Sequence, residues 1–167
     1  ERTQGRATAM QVLIIDDKTE RRDRTMMASL ERNMFVTATA NLAVGEEALT
    51  RLPVDILIAS TDAFGDALGD LLGLAEERNA GLSTILWSQN VGWDMDTLSE
   101  AFPTLCAVLG TEVTPDLAMQ IGLSGAQSSV ASEAAEYQMR APFPAPPPRG
   151  RDLSLPSAAE LQARSAA

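Results

Sequence analysis

Five short apolar runs, each followed by a stretch with helical patterning, constrain this chain more than any other feature. Residues 11–15, 34–40, 54–60, 82–88 and 105–110 are dominated by Val, Ile, Leu, Ala and Thr. Short runs of this kind, without strict polar alternation, read as strands buried on both faces. Residues 18–33 follow the first run with helical spacing. Met26, Met27 and Leu30 are expected to share the core-facing side, with Arg21, Arg22, Arg24 and Glu31 outside. Residues 41–52 suit a short helix, with Gly45 as its weak point and Pro53 just past its end. The Gly- and Asp-rich residues 61–69 read as a loop, and residues 70–79 as a helix stopped near Gly81. Residues 90–92 read as a turn before an expected helix over 94–102, ended by Pro103. Thr114-Pro115 puts an N-cap hydroxyl before a first-turn proline, and that last helix is expected to reach about Gly125.

Strands and helices thus alternate. Parallel strands need crossover connections, and helices supply them while covering both faces of the sheet. Right-handed crossovers then favour an α/β, doubly wound, five-stranded parallel sheet in the flavodoxin-like order 2-1-3-4-5. In such a sheet the functional crevice lies beyond the carboxyl ends of the first and third strands. Asp16, Asp17, Ser60, Thr61 and Asp62 fall there.

Composition narrows the chemistry. The chain has no histidine and one cysteine, which excludes His/Cys metal sites, Ser-His-Asp catalysis and Cys-His catalysis. Cys106 has no partner for an internal disulfide, and its apolar neighbours make it a buried reduced thiol by expectation, which suits the cytoplasm. Residues 1–125 hold 19 acidic against 9 basic residues, a net −10, whereas residues 126–167 hold four of each. An acidic surface of this kind repels phosphates, so direct nucleic-acid binding is not expected. No apolar run approaches the roughly 20 residues of a membrane span, and no secretory leader is visible, so membrane insertion is not expected either.

The run Val12-Leu13-Ile14-Ile15-Asp16-Asp17, the following helix with Arg21-Arg22, the run Asp55-Ile56-Leu57-Ile58-Ala59 and the turn Thr114-Pro115-Asp116-Leu117 together resemble the receiver (CheY-like) domain of two-component response regulators. The resemblance covers roughly residues 11–124. It implies a bacterial signalling protein rather than an enzyme. In that family a carboxylate ending the third strand accepts a phosphoryl group. An acid pair after the first strand holds magnesium, a hydroxyl residue ends the fourth strand, and a lysine follows the fifth. A dianionic phosphoryl group in an acidic pocket needs both cations.

Carried over by position, Asp16 and Asp17 match the acid pair and Ser88 the hydroxyl. The phospho-acceptor position falls on Ser60, which is not a carboxylate, and the lysine position falls near Thr111. The only lysine in the chain is Lys18, so no choice of register restores the family's cation. The resemblance therefore implies a degenerate pseudo-receiver that acts by phosphorylation-independent protein contact, with a partner or with itself as a homodimer. Two alternatives remain open: a divergent phospho-switch using Asp62 or Ser60, and a structural or assembly subunit whose tail docks on a partner. Asp16, Asp17 and Asp62 are the only candidates for a residual Mg2+ site, against the reading that no cofactor is bound and that Lys18 or Arg22 neutralises one of the acids. Trp93, just past the fourth strand, is the candidate interface residue.

The ends differ from the middle. Residues 1–10 read as a flexible lead-in and 11–125 as the receiver-like domain. Residues 126–167 read as an Ala/Ser/Pro-rich C-terminal tail with short helices. Six of the nine prolines lie at or beyond position 142, and Pro-Phe-Pro-Ala-Pro-Pro-Pro over 142–148 favours polyproline II.

Overall fold

A computed structural model describes residues 9–79, 81–89 and 95–140, with side chains up to residue 128. Strands β1 (Gln11–Ile15), β2 (Phe35–Thr39), β3 (Ile56–Ser60), β4 (Ser83–Trp87) and β5 (Leu105–Leu109) form one parallel sheet in the order β2-β1-β3-β4-β5. Helices α1 (Thr19–Leu30), α2 (Leu42–Arg51), α3 (Thr61–Phe64), α4 (Ala67–Arg78), α5 (Met95–Ala101) and α6 (Pro115–Arg140) connect and follow them. This is the doubly wound order that strand and helix alternation implies. The chain divides into a unit of Glu1–Ala135 and a second of Glu136–Ala167, of which only the end of α6 is described. Trp93, most of the lead-in, the Pro-rich segment and the last short helix lie outside the described residues.

Alternation along the strands divides the core in two. Leu13, Ile15, Leu57, Ala59 and Leu86 face one side, where α2 and α4 bring Leu49, Leu68, Leu71 and Leu72. Val12, Ile14, Ile56, Ile58, Ile85 and Trp87 face the other, where α1 and α6 bring Ala28, Ala118, Met119 and Ala126. Both faces of the central strands are closed, and β1 and β3 carry apolar residues at nearly every position for that reason.

Helix α1 departs from its expected orientation. Met27 and Leu30 are exposed, and Thr25, Ala28 and Ser29 are buried. The two hydroxyls tolerate burial because each donates back to a carbonyl one turn earlier: Thr25 Oγ1 to Arg21 O at 2.8 Å and Ser29 Oγ to Thr25 O at 2.8 Å. Small side chains let the helix lie close to the sheet. Arg21 sits on this inner stripe, one turn before Thr25, rather than on a solvated face. Asn33 then closes the helix at φ 56°, and Met34 N–H reaches back to Ser29 O at 3.2 Å.

Three other expectations change. The loop expected over 61–69 contains the single turn of α3, and α4 already begins at Ala67; Gly65, at φ 52°, separates them. Cys106 is exposed, not buried. Thr84 pairs with Leu105 but Ile85 pairs with Ala107, so Cys106 is the extra residue of an irregularity on an edge strand. Its Sγ lies 3.1 Å from Ser83 Oγ. Helix α6 does not end near Gly125 but continues to Arg140. A Cβ at Gly125 would press on Cys106 Sγ and Ser83 Oγ, and one at Gly122 would come within 3.0 Å of Ile56 Cγ2. Both glycines are where α6 passes close to the sheet, and neither is a stop.

Gly45 follows the same logic. It is buried within α2, and a Cβ there would collide with the Ile15 side chain. Gly45→Val is expected to cost about 1–3 kcal/mol through overpacking, read as a lower urea midpoint. Gly73, inside α4, has nothing within 4 Å of an added Cβ. Gly73→Ala is the control and is expected to stabilise by roughly 0.5–1 kcal/mol.

Candidate functional site

The carboxyl ends of β1, β3 and β4 meet where α1 begins. Asp16 continues the face of Val12 and Ile14 one step past β1 and is fully buried. Ser60, at the end of β3, is register partner of Trp87, which is in turn partner of Leu109. Ser60 and Trp87 are fully buried too.

Arg21 reaches into this corner from the first turns of α1. Its Nε lies 2.5 Å from Asp16 Oδ2 and its Nη2 donates to Asp16 Oδ1 at 2.9 Å, a two-point pair matched to the planar guanidinium. The same Nη2 donates to Ser60 Oγ at 3.1 Å. The guanidinium carbon sits 5.3 Å from the centre of the Trp87 ring, within cation–π range. The Arg21 side chain is 13% exposed and that of Asp16 0%, so the pair is largely out of water. Two more bonds fix the acid: Lys18 N–H donates to Asp16 Oδ1 at 2.9 Å, and Arg22 Nη1 donates to Asp16 O at 2.9 Å. One guanidinium therefore links β1, β3 and β4 to α1.

The other expected site residues are placed differently. Asp17 turns outward and pairs with Lys18 at 3.3 Å. Asp62, on α3, accepts the backbone N–H of Gln89 with its two oxygens at 3.2 and 3.1 Å. Ser88 is buried, but it is one residue past the partner of Ser60, and strand alternation turns it from the face that Ser60 and Trp87 share. The fourth-strand residue facing Ser60 is thus Trp87. Thr111 is exposed after β5 and lines, with Lys18, Arg21, Arg24, Glu112 and Thr114, a cleft of about 390 Å³ beside the buried pair. Leu109 is the β5 residue in the row that contains Ser60 and Trp87.

Sequence reasoning missed Arg21 and Trp87 as partners of Asp16 and Ser60. A signal was available: Arg21, Thr25, Ala28 and Ser29 follow helical spacing, and the small residues among them mark the side that approaches the sheet.

The arrangement does not fit a divalent cation. Both Asp16 oxygens are engaged by Arg21, one of them also by the Lys18 N–H, and Asp17 and Asp62 point to other partners. Among the described residues no group of three Asp, Glu, His or Cys has a spacing that could hold a metal. Nor does it offer a nucleophilic carboxylate at the end of β3, since the residue there is Ser60 with its hydroxyl bonded to Arg21. Trp87 Nε1 is buried with no hydrogen-bond partner.

No protein-family model and no curated protein matches the chain. Solved structures do. A response regulator receiver domain protein (CheY-like) from Methanospirillum hungatei JF-1 is similar at a TM-score of 0.65 and 16% identity, over 75% of this chain and 99% of that one. The signal receiver domain of a putative Luxo repressor protein from Vibrio parahaemolyticus is similar at 0.64 and 11% identity, over 77% and 98%. A response regulator from Thermotoga maritima is similar at 0.59 and 13% identity, over 71% and 98%. No described helix is long and apolar enough to cross a membrane. With its sheet order, its helices on both faces and these structural likenesses, the chain has the fold of CheY-like response regulator receiver domains.

Proposed function

We propose that this chain is a pseudo-receiver, an atypical response-regulator-like module that acts in bacterial signalling through phosphorylation-independent contact with a protein partner or a second copy of itself. The observation that carries this reading is the Arg21 guanidinium held between Asp16 and Ser60. It occupies the corner in which a phosphoryl group would have to be received. Ser60 is buried, and a serine hydroxyl there has no histidine to take its proton. The chain's only lysine, Lys18, lies beside Asp17 and not after β5. No catalytic role is assigned to any residue. A protein-contact role draws on the exposed Met27 and Leu30, which α1 presents away from its own core.

Incubation with acetyl phosphate and Mg2+, read by intact-mass spectrometry, is expected to leave the chain unmodified. Beryllofluoride with Mg2+ is expected to leave its amide spectrum unchanged. Stoichiometric phosphorylation at Ser60 or Asp62 would overturn the reading and favour a divergent phospho-switch. Affinity capture with the full chain and with Met27→Ser/Leu30→Ser, followed by cross-linking, then tests the contact itself. Capture of one partner or a second copy, lost in the double variant while the urea melt is retained, supports it.

A further inference from the structure

We propose that the outer edge of β2 pairs antiparallel with the same edge of a second copy of this chain, in the register that sets Thr37 opposite Thr37 on a two-fold axis. β2 ends the sheet order, and among the described residues no strand pairs with its outer side. Proteins usually blunt such an edge with charge, proline or a bulge. Here residues 33–45 contain no charged residue and no proline, and β2 keeps an unbroken register with β1 from Phe35 to Thr39. The opposite edge differs, because the irregularity at Cys106 interrupts β5.

Backbone polarity fixes the register. Phe35 N–H donates to Met10 O at 2.9 Å and Thr39 O accepts Asp16 N–H at 3.0 Å, so the odd-numbered residues of β2 turn their polar groups to β1. By strand alternation Val36 and Ala38 turn theirs to the open side. With Thr37 on the axis, Val36 faces the second copy's Ala38 and Ala38 its Val36, and each of these pairs exchanges two hydrogen bonds. One register thus satisfies both outward residues in both copies. A two-fold axis perpendicular to the sheet leaves its faces unchanged, so α1 meets the second copy's α1 and α2 its α2. Both helices lie against β2, and their exposed Leu30 and Val44, with Phe35 on the strand, supply apolar area beside the short ladder. Charge favours a second copy here rather than at another face: chains at net −10 repel one another, and this stretch brings no charge to a self-contact.

This pairing rests on the part of the proposed function that allows contact with a second copy, and the two fail separately. Phosphorylation of the wild type overturns the proposed function alone; a monomeric wild type overturns the pairing alone. The full chain is sedimented over a dilution series as wild type, Thr37→Glu, Thr37→Lys and an equal mixture of the two variants. Wild type is expected to show a monomer–dimer equilibrium. Each variant alone sets like charges directly opposite and is expected to weaken self-association at least about tenfold, with a urea melt showing that it folds. The mixture is expected to restore association to within about threefold of wild type, because opposite charges then face each other. In a Cys106→Ser background, Thr37→Cys is expected to form an intermolecular disulfide on mild oxidation, since facing residues that exchange no hydrogen bonds have Cα atoms about 4.5 Å apart. Thr111→Cys, at an exposed position after β5, is the control and is expected not to. A wild type that stays monomeric overturns the proposal, including one that binds only an extended peptide of another protein. So does a dimer that the charged variants leave intact, or a mixture that fails to re-form it while both variants fold. If charge at position 37 unfolds the chain, the cysteines decide: cross-linking at Thr37→Cys no greater than at Thr111→Cys overturns the pairing.

Discussion

Arg21→Ala is expected to destabilise the domain by about 3–5 kcal/mol, because it strands a buried carboxylate without its counter-ion. Asp16 is fully buried, and apart from Arg21 its carboxylate accepts from the uncharged Lys18 N–H, while Arg22 bonds the Asp16 carbonyl instead. The loss is large against the roughly 5–15 kcal/mol that separates folded from unfolded chains. Removing both members tests whether the pair itself or the orphaned charge matters. Asp16→Leu/Arg21→Met replaces the pair with apolar groups of similar bulk and is expected to recover most of the loss, since well-packed apolar substitutes for a buried ion pair are often neutral or better. Urea denaturation of the three proteins, followed by far-ultraviolet circular dichroism, gives the comparison. A single variant as stable as the wild type would show that water reaches Asp16. Surface pairs give the contrast: Arg24 and Glu20 are both well exposed, and breaking that pair is expected to change stability little.

Trp87→Ala is expected to cost about 3–5 kcal/mol, the range for emptying a buried aromatic position. Among the described residues Trp87 is the largest fully buried side chain, and it packs among Ile58, Ile85 and Met119 while its ring receives the Arg21 guanidinium. The substitution therefore opens a cavity and loosens the cation at once. Trp87→Phe separates the two effects. It keeps an aromatic face for Arg21 and removes an indole N–H that has no partner, so its cost is expected to be well below that of alanine. Equal destabilisation by Phe and Ala would show that the bulk of the indole matters and the stack does not. The same variants bear on the proposed contact role, because the set of the α1 surface depends on how firmly Arg21 and Trp87 hold α1 to the sheet.

Other consequences are local. The close approaches at Gly45, Gly122 and Gly125 explain why α2 and α6 carry glycine in positions where helix propensity alone would disfavour it. In each case a neighbouring side chain occupies the space a Cβ would need. Propensity rules read Gly45 as a weak point and Gly125 as an end, and packing overrode both.

The sequence by itself determined the layers. Short apolar runs at β1, β3 and β4, with amphipathic stretches between them, leave few arrangements besides a covered parallel sheet, because both strand faces must be buried and the crossovers need helices. It also placed Asp16 and Ser60 at one edge, since one follows and the other ends a strand whose carboxyl end lies there, and composition alone leaves no lysine but Lys18. Only the tertiary structure decided what Asp16 binds. Helical spacing allowed Met27 and Leu30 to face inward with Met26, yet α1 buries Thr25, Ala28 and Ser29 fully against the sheet and Met26 in part. That rotation carries Arg21 into the corner, where a buried carboxylate, a buried hydroxyl and an indole ring surround it. A pattern of apolar residues records which side can be buried; the distance between two packed elements decides which side is.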